Sequence, residues 1–314
     1  MRTVKLILST VVALLVGAPA AGACGSLVAP NGSVHLLRTS TLAAWSHGVE
    51  HYVTNFEFGG TPKSFGSIVP LPAQPTKVER GGDWTLQRLQ REVAPLILEE
   101  TAPRSAATGD EAQVLQQVRI ESLDVTILRG GGRAVARWAR EHDYSLSADT
   151  PDVLEFYSRR SPYFMAARFD ASAAADQGLK GGDGIPVHLT IPVDEPWVPL
   201  HILGTGKPSD EVVAADVFLL TPRKPSLLHG DGVSVERSEQ ASLSLLSDLR
   251  SDRGMGWLPD RMWLTYTRVA EPVGRLDYDL AIDVRGHAPD PLDAGLSPSG
   301  LFDRVAFSAR LGSG

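Results

Sequence analysis

The chain has 314 residues, of which 43 % are hydrophobic and 21 % charged, and its formal net charge is −7. That leaves room for one large or two modest folded units with a sizeable core, and it excludes wholesale disorder. An acidic chain lacks the electrostatic term that dominates affinity for nucleic acid, so nucleic acid is excluded as a partner, and anionic membrane surfaces are poor ones.

Residues 1–23 read as an export signal. Arg2 and Lys5 make a positive start, 6–16 is an apolar run too short to span a bilayer, and Ala21-Gly22-Ala23 is the small-x-small pattern a signal peptidase accepts. Removing this segment, with Arg2 and Lys5, takes the charge from −7 to −9. The expected location is outside the cytoplasm, secreted or held at the cell envelope. Cys24 is the only cysteine, so no intramolecular disulfide can form. Cleavage after Ala23 makes it the first mature residue, where bacterial lipoproteins carry diacylglycerol, and Cys24 is a lipidation candidate. Ala21 stands where a large aliphatic residue is usual, which leaves ordinary secretion with a free thiol as the other reading. Membrane contact is expected only through the signal or that lipid.

Residues 34–45 and 49–58 alternate as two strands about a turn at Ser46-His47-Gly48, with Tyr52, Thr54, Phe56 and Phe58 on one face. A third strand, 65–71, should end or run along an edge at its prolines, Pro70, Pro72 and Pro75. Asp83 is the expected N-cap of a helix through Trp84, Leu86, Leu89 and Val93. Residues 99–110 read as a loop and 114–120 as a strand. The clearest unit follows: a strand at 123–128, a glycine break at Gly130-Gly131-Gly132, and a helix. That helix has Ala134, Val135, Trp138 and Ala139 on one face and Arg133, Arg137 and Arg140 on the other. Thr150-Pro151-Asp152 starts a further helix to about 160. Strands are expected at 163–170, 185–192, 197–203 and 212–220, with 171–184 an exposed connection. After residue 222 the pattern predicts a helix over 238–250, a final strand pair at 262–269 and 276–284, and a loop over 286–300.

Several of these segments together resemble a known bacterial family. They are Ala23-Cys24-Gly25, Ser67-Ile68-Val69-Pro70-Leu71-Pro72, Leu123-Asp124-Val125-Thr126-Ile127-Leu128 with its helix around Trp138, Tyr163-Phe164-Met165-Ala166-Ala167, and Ile185-Pro186-Val187-His188-Leu189-Thr190 followed by Trp197-Val198-Pro199-Leu200. In this order they resemble domain of unknown function 2330 over roughly residues 23–221. The resemblance implies an exported envelope protein. It brings no activity and no catalytic residues. It also implies that many members end in a spanning helix, and no apolar stretch of that length closes this chain.

The chemistry-bearing motifs are weak. His47-Gly48-Val49-Glu50-His51 spells the H-x-x-E-H of inverted zinc peptidases, which needs both imidazoles on one helical face. Here the string falls on a hairpin, with Gly48 in the turn and Glu50 pointing away from His51. Gly131, Gly132 and Arg133 at a helix start make an anion site the weak reading and a strand-to-helix turn the main one. Gly204-Thr205-Gly206-Lys207 is rejected as a P-loop because Pro208 stands where the metal-binding hydroxyl belongs. Asp277, Asp279 and Asp283 read as the wet face of a half-buried strand. No G-x-S-x-G elbow and no S-x-x-K pair occurs. His188 and His201, both on expected strands, read as packed or surface histidines.

The expected fold is α+β: an antiparallel or mixed sheet with a few packed helices. The signal occupies 1–23, a core domain 24–222, and a smaller α+β segment, packed on or next to the core, 223–314. The expected function is a non-enzymatic binding or structural module of the envelope, with no catalytic residue, cofactor or metal and an unnamed envelope partner. The rival is an envelope hydrolase whose histidine and carboxylate groups meet only in the fold.

Overall fold

The computed structural model describes residues 26–28, 35–59, 64–93, 113–170 and 185–296. The segment expected to be a signal, residues 1–23, Cys24 and the loops expected at 99–110 and 171–184 lie outside these residues. The architecture is α+β, with antiparallel and mixed sheets.

The largest sheet has seven strands. β2 (His35–Ser46) and β3 (Val49–Gly59) form its central hairpin. The turn is His47-Gly48, with φ of 53° and 79°, the doubly positive geometry that matches strand twist. Beside β3 lie β9 (Val187–Pro192) and then β5 (Lys77–Arg80). Beside β2 lies β11 (Val212–Thr221), in parallel, followed by β14 (Trp263–Pro272) and β13 (Val233–Gln240) at the edge. Residues beyond 222 therefore extend the sheet that the earlier residues begin. A five-stranded antiparallel sheet has the order β1 (Ser26–Val28), β4 (Ser64–Leu71), β8 (Tyr163–Asp170), β7 (Leu123–Arg129), β6 (Gln113–Ile120). Among the described residues β1 pairs with Gly66, Ser67 and Ile68, and Pro70 lies opposite Phe164 of β8. β10 (Trp197–Val198), β15 (Leu280–Asp283) and β12 (Ser226–Leu228) make a small third sheet.

Both faces of the seven-stranded sheet are buried. Leu42, Ala44, Val53, Phe218 and Leu220 meet Leu86 and Leu89 of α1 (Thr85–Val93). The same face meets Leu245, Leu246 and Leu249 of the fourth helix, Leu243–Ser251. On the opposite face Tyr52, Leu189, Ile191, Val217 and Leu219 join Ile68, Ile127 and Met165 of the five-stranded sheet. α2 (Gly132–Glu141) and α3 (Thr150–Ser158) add Val135, Trp138, Leu154 and Tyr157 to that core. Numbered in order, the helix at Leu243–Ser251 is α4.

α2 follows the expected stripe, with Ala136 in place of Ala134 among its buried residues and Arg133, Arg137 and Arg140 outward. Gly132 is required by contact: a Cβ there would run into the backbone of Leu154 and Glu155 in α3. Gly131 has no such neighbour, its nearest atom being 4.0 Å away. Gly132→Ala should therefore cost about 1–3 kcal/mol by overpacking, and Gly131→Ala much less, as read from urea midpoints.

Four expectations are corrected. Asp83 does not cap α1. The two residues leading into the helix and its first side chain are held by Asp252, which accepts from Asp83 N at 2.9 Å, Trp84 N at 3.0 Å and the Thr85 hydroxyl at 2.7 Å, while the Asp83 carboxylate pairs with Arg80. Residues 238–240 are strand rather than helix. β13 is an edge strand with polar residues outward, and the helix starts after Ser242, whose hydroxyl accepts Leu245 N at 3.1 Å. The strand expected at 197–203 stops at Val198 and becomes a 3₁₀ turn, His201–Gly204. The last two expected strands do not pair, because β14 belongs to the large sheet and β15 to the small one.

Candidate functional site

Three groups of side chains were weighed as the site. The first is assembled by the register of β3, β9 and β5. His188 lies opposite Val53 on one side and Glu79 on the other. His51, two residues before Val53 on the same face, brings Nδ1 to 2.9 Å from Nε2 of His188. Glu79 Oε1 is 3.5 Å from His188 Nδ1, an ion-pair contact too long for a good hydrogen bond, and Lys77 holds Glu79 at 2.7 Å. Trp257 stacks on His51 with 3.6 Å between ring centres and 4° between planes. Burial pushes both imidazoles down to about 4, helped at His51 by the neighbouring His188 and at His188 by Lys77. At neutral pH both rings are uncharged, and one donates its N–H to the other. The row can hold a proton, but His188 is sealed at 1 % exposure.

The H-x-x-E-H string comes apart as the hairpin reading requires. His47 is on the exposed turn, bonded to the Ser46 hydroxyl at 2.7 Å, and Glu50 is on the sheet face opposite His51. Glu50 is fully buried between Trp45 and Ile191 of the flanking strands, and neither carboxyl oxygen has a hydrogen-bond partner among the described residues. Burial pushes it up to about 8, so it is protonated at neutral pH. Among the described residues no three or more His, Cys, Asp or Glu converge as a metal would need.

The second group surrounds Asp279, which corrects the wet-face reading: Asp279 and Asp283 are both buried. Asp279 Oδ1 accepts from Leu200 N at 2.6 Å, His201 N at 3.1 Å and the Tyr157 hydroxyl at 2.7 Å, and Oδ2 pairs with Arg160. Tyr157 Oη in turn accepts from Ile202 N at 3.0 Å. These bonds draw 200–202 into the turn, which is why His201 is not on a strand. Arg160 also lies over Trp197, 3.9 Å from its ring centre. Burial lowers the His201 imidazole, with Asp279 and Asp277 opposing. Asp283 accepts from the N–H groups of Arg285, Gly286 and His287, a turn cap that lowers its carboxyl against the cost of burial. The Asp279 and Asp283 carboxylates and the Tyr157 hydroxyl are all engaged within the fold.

The glycine motifs are also occupied from within. Glu155 Oε2 accepts Arg133 N at 3.3 Å, so the start of α2 that Gly131, Gly132 and Arg133 would offer an anion already faces a carboxylate. Gly206 N donates to Asp149, and Lys207 pairs with Glu211.

The third group lines an open cleft of about 280 Å³ beside α2. Its floor is a row across three strands. Arg119 of β6 lies opposite Asp124 of β7, and Asp124 opposite Arg168 of β8. Gln117 and Thr126 form the next row. Trp138, His142 and Tyr144 make the wall, His142 stacked on Trp138 at 4.1 Å. Arg119 is held by Asp124 at 3.1 Å and Arg168 by Asp143 at 3.3 Å. Tyr144 packs over Gly66, where a Cβ would strike its ring, so the glycine shapes the wall. Sequence reasoning missed this cleft. Its one signal was the polar alternation of 117–119 and 124–126, which means little until the strands are paired.

A profile of an uncharacterised protein family conserved in bacteria (DUF2330) matches residues 18–214. Comparison with curated proteins finds no match. Among solved structures, the crystal structure of baculovirus P35 aligns with 82 % of this chain and 99 % of that one, at 9 % identity and a TM-score of 0.37.

Proposed function

We propose, for a chain that belongs to the bacterial family DUF2330, that it works outside the cytoplasm as a non-enzymatic binding or structural module of the cell envelope. The observation that carries the binding half is the open cleft beside α2, where charged side chains, Arg119, Asp124 and Arg168, lie next to aromatic ones. Residues 1–23 supply the location: a positive start, a short apolar run and a small-x-small end. Cys24 is the site of attachment in the lipidated form. No helix among the described residues is long and apolar enough to cross a membrane. Fractionation of the native cells tests the location. The chain should be found with the envelope or outside it, and a wholly cytoplasmic pool would end the proposal.

A second reading, an envelope hydrolase, is favoured by one contact, His51 to His188 at 2.9 Å with Glu79 behind. It requires aryl-ester hydrolysis by the purified chain above that of free imidazole, lost in His51→Ala. Unchanged hydrolysis in that variant would remove it.

A further inference from the structure

We propose that the cleft beside α2 binds a neutral, polyhydroxylated ligand the size of one sugar ring. This rests on the binding reading above and names its ligand class. The volume, about 280 Å³, equals that of roughly nine waters at ~30 Å³ each, the scale of a single hexose and too small for an extended chain.

Charge selects the class. The floor alternates Arg119, Asp124 and Arg168 across three neighbouring strands. A phosphate or polycarboxylate would face Asp124 at the centre, and an ammonium would face a guanidinium on each side. A hydroxyl donates one hydrogen bond and accepts two, so a ring bearing several can satisfy donors and acceptors together.

Hydrogen-bonding capacity is left over in the cleft. The side chains of Gln117, Thr126 and Tyr144 have no hydrogen-bond partner among the described residues. Arg168 has one bond, to Asp143, and its other N–H groups are free to donate. The indole N–H of Trp138 is buried without a partner, although Trp138 itself is only 2 % exposed. The Trp138 N–H is the sealed group among them, while Gln117 is exposed and Arg168 part-exposed, so the open side of the cleft offers Gln117 and Arg168 to a ligand from outside. The His142 ring, part-exposed and stacked on the buried Trp138 with Tyr144 behind, gives the wall against which the C–H face of a sugar ring would rest.

The test uses the purified full chain and the indole N–H resonances of its tryptophans, six in the sequence. Trp138→Phe identifies the one in the cleft. Glucose and N-acetylglucosamine are titrated to about 50 mM, which reaches binding free energies of roughly 2 kcal/mol. Inorganic phosphate is the charged comparator. One or both sugars should shift the Trp138 resonance saturably, and phosphate should not. Arg168→Ala and Gln117→Ala should each weaken binding about tenfold, the scale of one hydrogen bond to a charged or polar group, while Arg137→Ala on the outer face of α2 should leave it unchanged. The proposal is overturned if neither sugar gives a saturable shift, if phosphate shifts the resonance as strongly, or if Arg168→Ala binds like the parent. Export is judged separately: a cytoplasmic chain that binds glucose would refute the location and leave the cleft assignment standing.

Discussion

Asp279→Ala should be among the most damaging single substitutions in the chain, costing about 3–5 kcal/mol and unfolding it outright if its margin is ordinary. The carboxylate is completely buried and accepts from Leu200 N, His201 N, the Tyr157 hydroxyl and Arg160. Removing it strands a largely buried guanidinium and leaves two backbone N–H groups without an acceptor. Three segments distant in sequence then lose their tie: α3, the turn at His201–Gly204, and the approach to β15. Tyr157→Phe removes two bonds, the one to Asp279 and the one from Ile202 N, and should cost about 1–3 kcal/mol. Guanidinium melts at neutral pH measure both. An Asp279→Ala variant as stable as the parent would show that the network does not hold these segments together.

Replacing Glu50 by Gln should remove a loss of stability at mildly alkaline pH. In the fold this carboxyl sits at about 8, against 4.5 when unfolded, because burial penalises its charged form. Between those values the folded protein holds a proton that the unfolded chain has released. Its contribution is therefore fully present below pH 4.5 and falls as the pH rises towards 8. His51 and His188 act in the opposite sense: at about 4 in the fold and 6.5 unfolded, they add stability as the pH rises from 4 through 6.5, with the last of it gained over the next unit. Asp293, pushed up to about 6 by burial, works against them over the acid range. From pH 6.5 to 8 Glu50 subtracts about 1 kcal/mol per pH unit. Glu50→Gln should lack that fall and keep only the small histidine rise. Denaturant midpoints at pH 6.5 and 8 decide it, and parallel profiles for the two proteins would show that the side chain reaches water or a partner.

Local patterns were legible where one face of an element is buried and the turn chemistry is explicit. The β2–β3 hairpin, β8 and α2 follow from alternation, from the helical period and from glycine placement. What could not be read depends on contacts between distant residues. Ser238, Glu239 and Gln240 read as the start of a helix, and pairing with β14 makes them the end of an edge strand instead. Asp279 reads as part of a wet face because it alternates with Tyr278 and Leu280, yet it is buried against Tyr157, 122 residues away, from whose hydroxyl it accepts a hydrogen bond. His51 and His188, 137 residues apart, meet only through the register of β3 on β9. The cleft has the same origin, since Arg119, Asp124 and Arg168 become neighbours only when β6, β7 and β8 pair in register.

The intact mass of the protein isolated from its native cells tests most directly whether the chain works outside the cytoplasm. A mature form that begins at Cys24, without residues 1–23 and with the added mass of a diacylglycerol in the lipidated case, is the expected result. A functional pool that retains Met1 and the whole apolar run would contradict it.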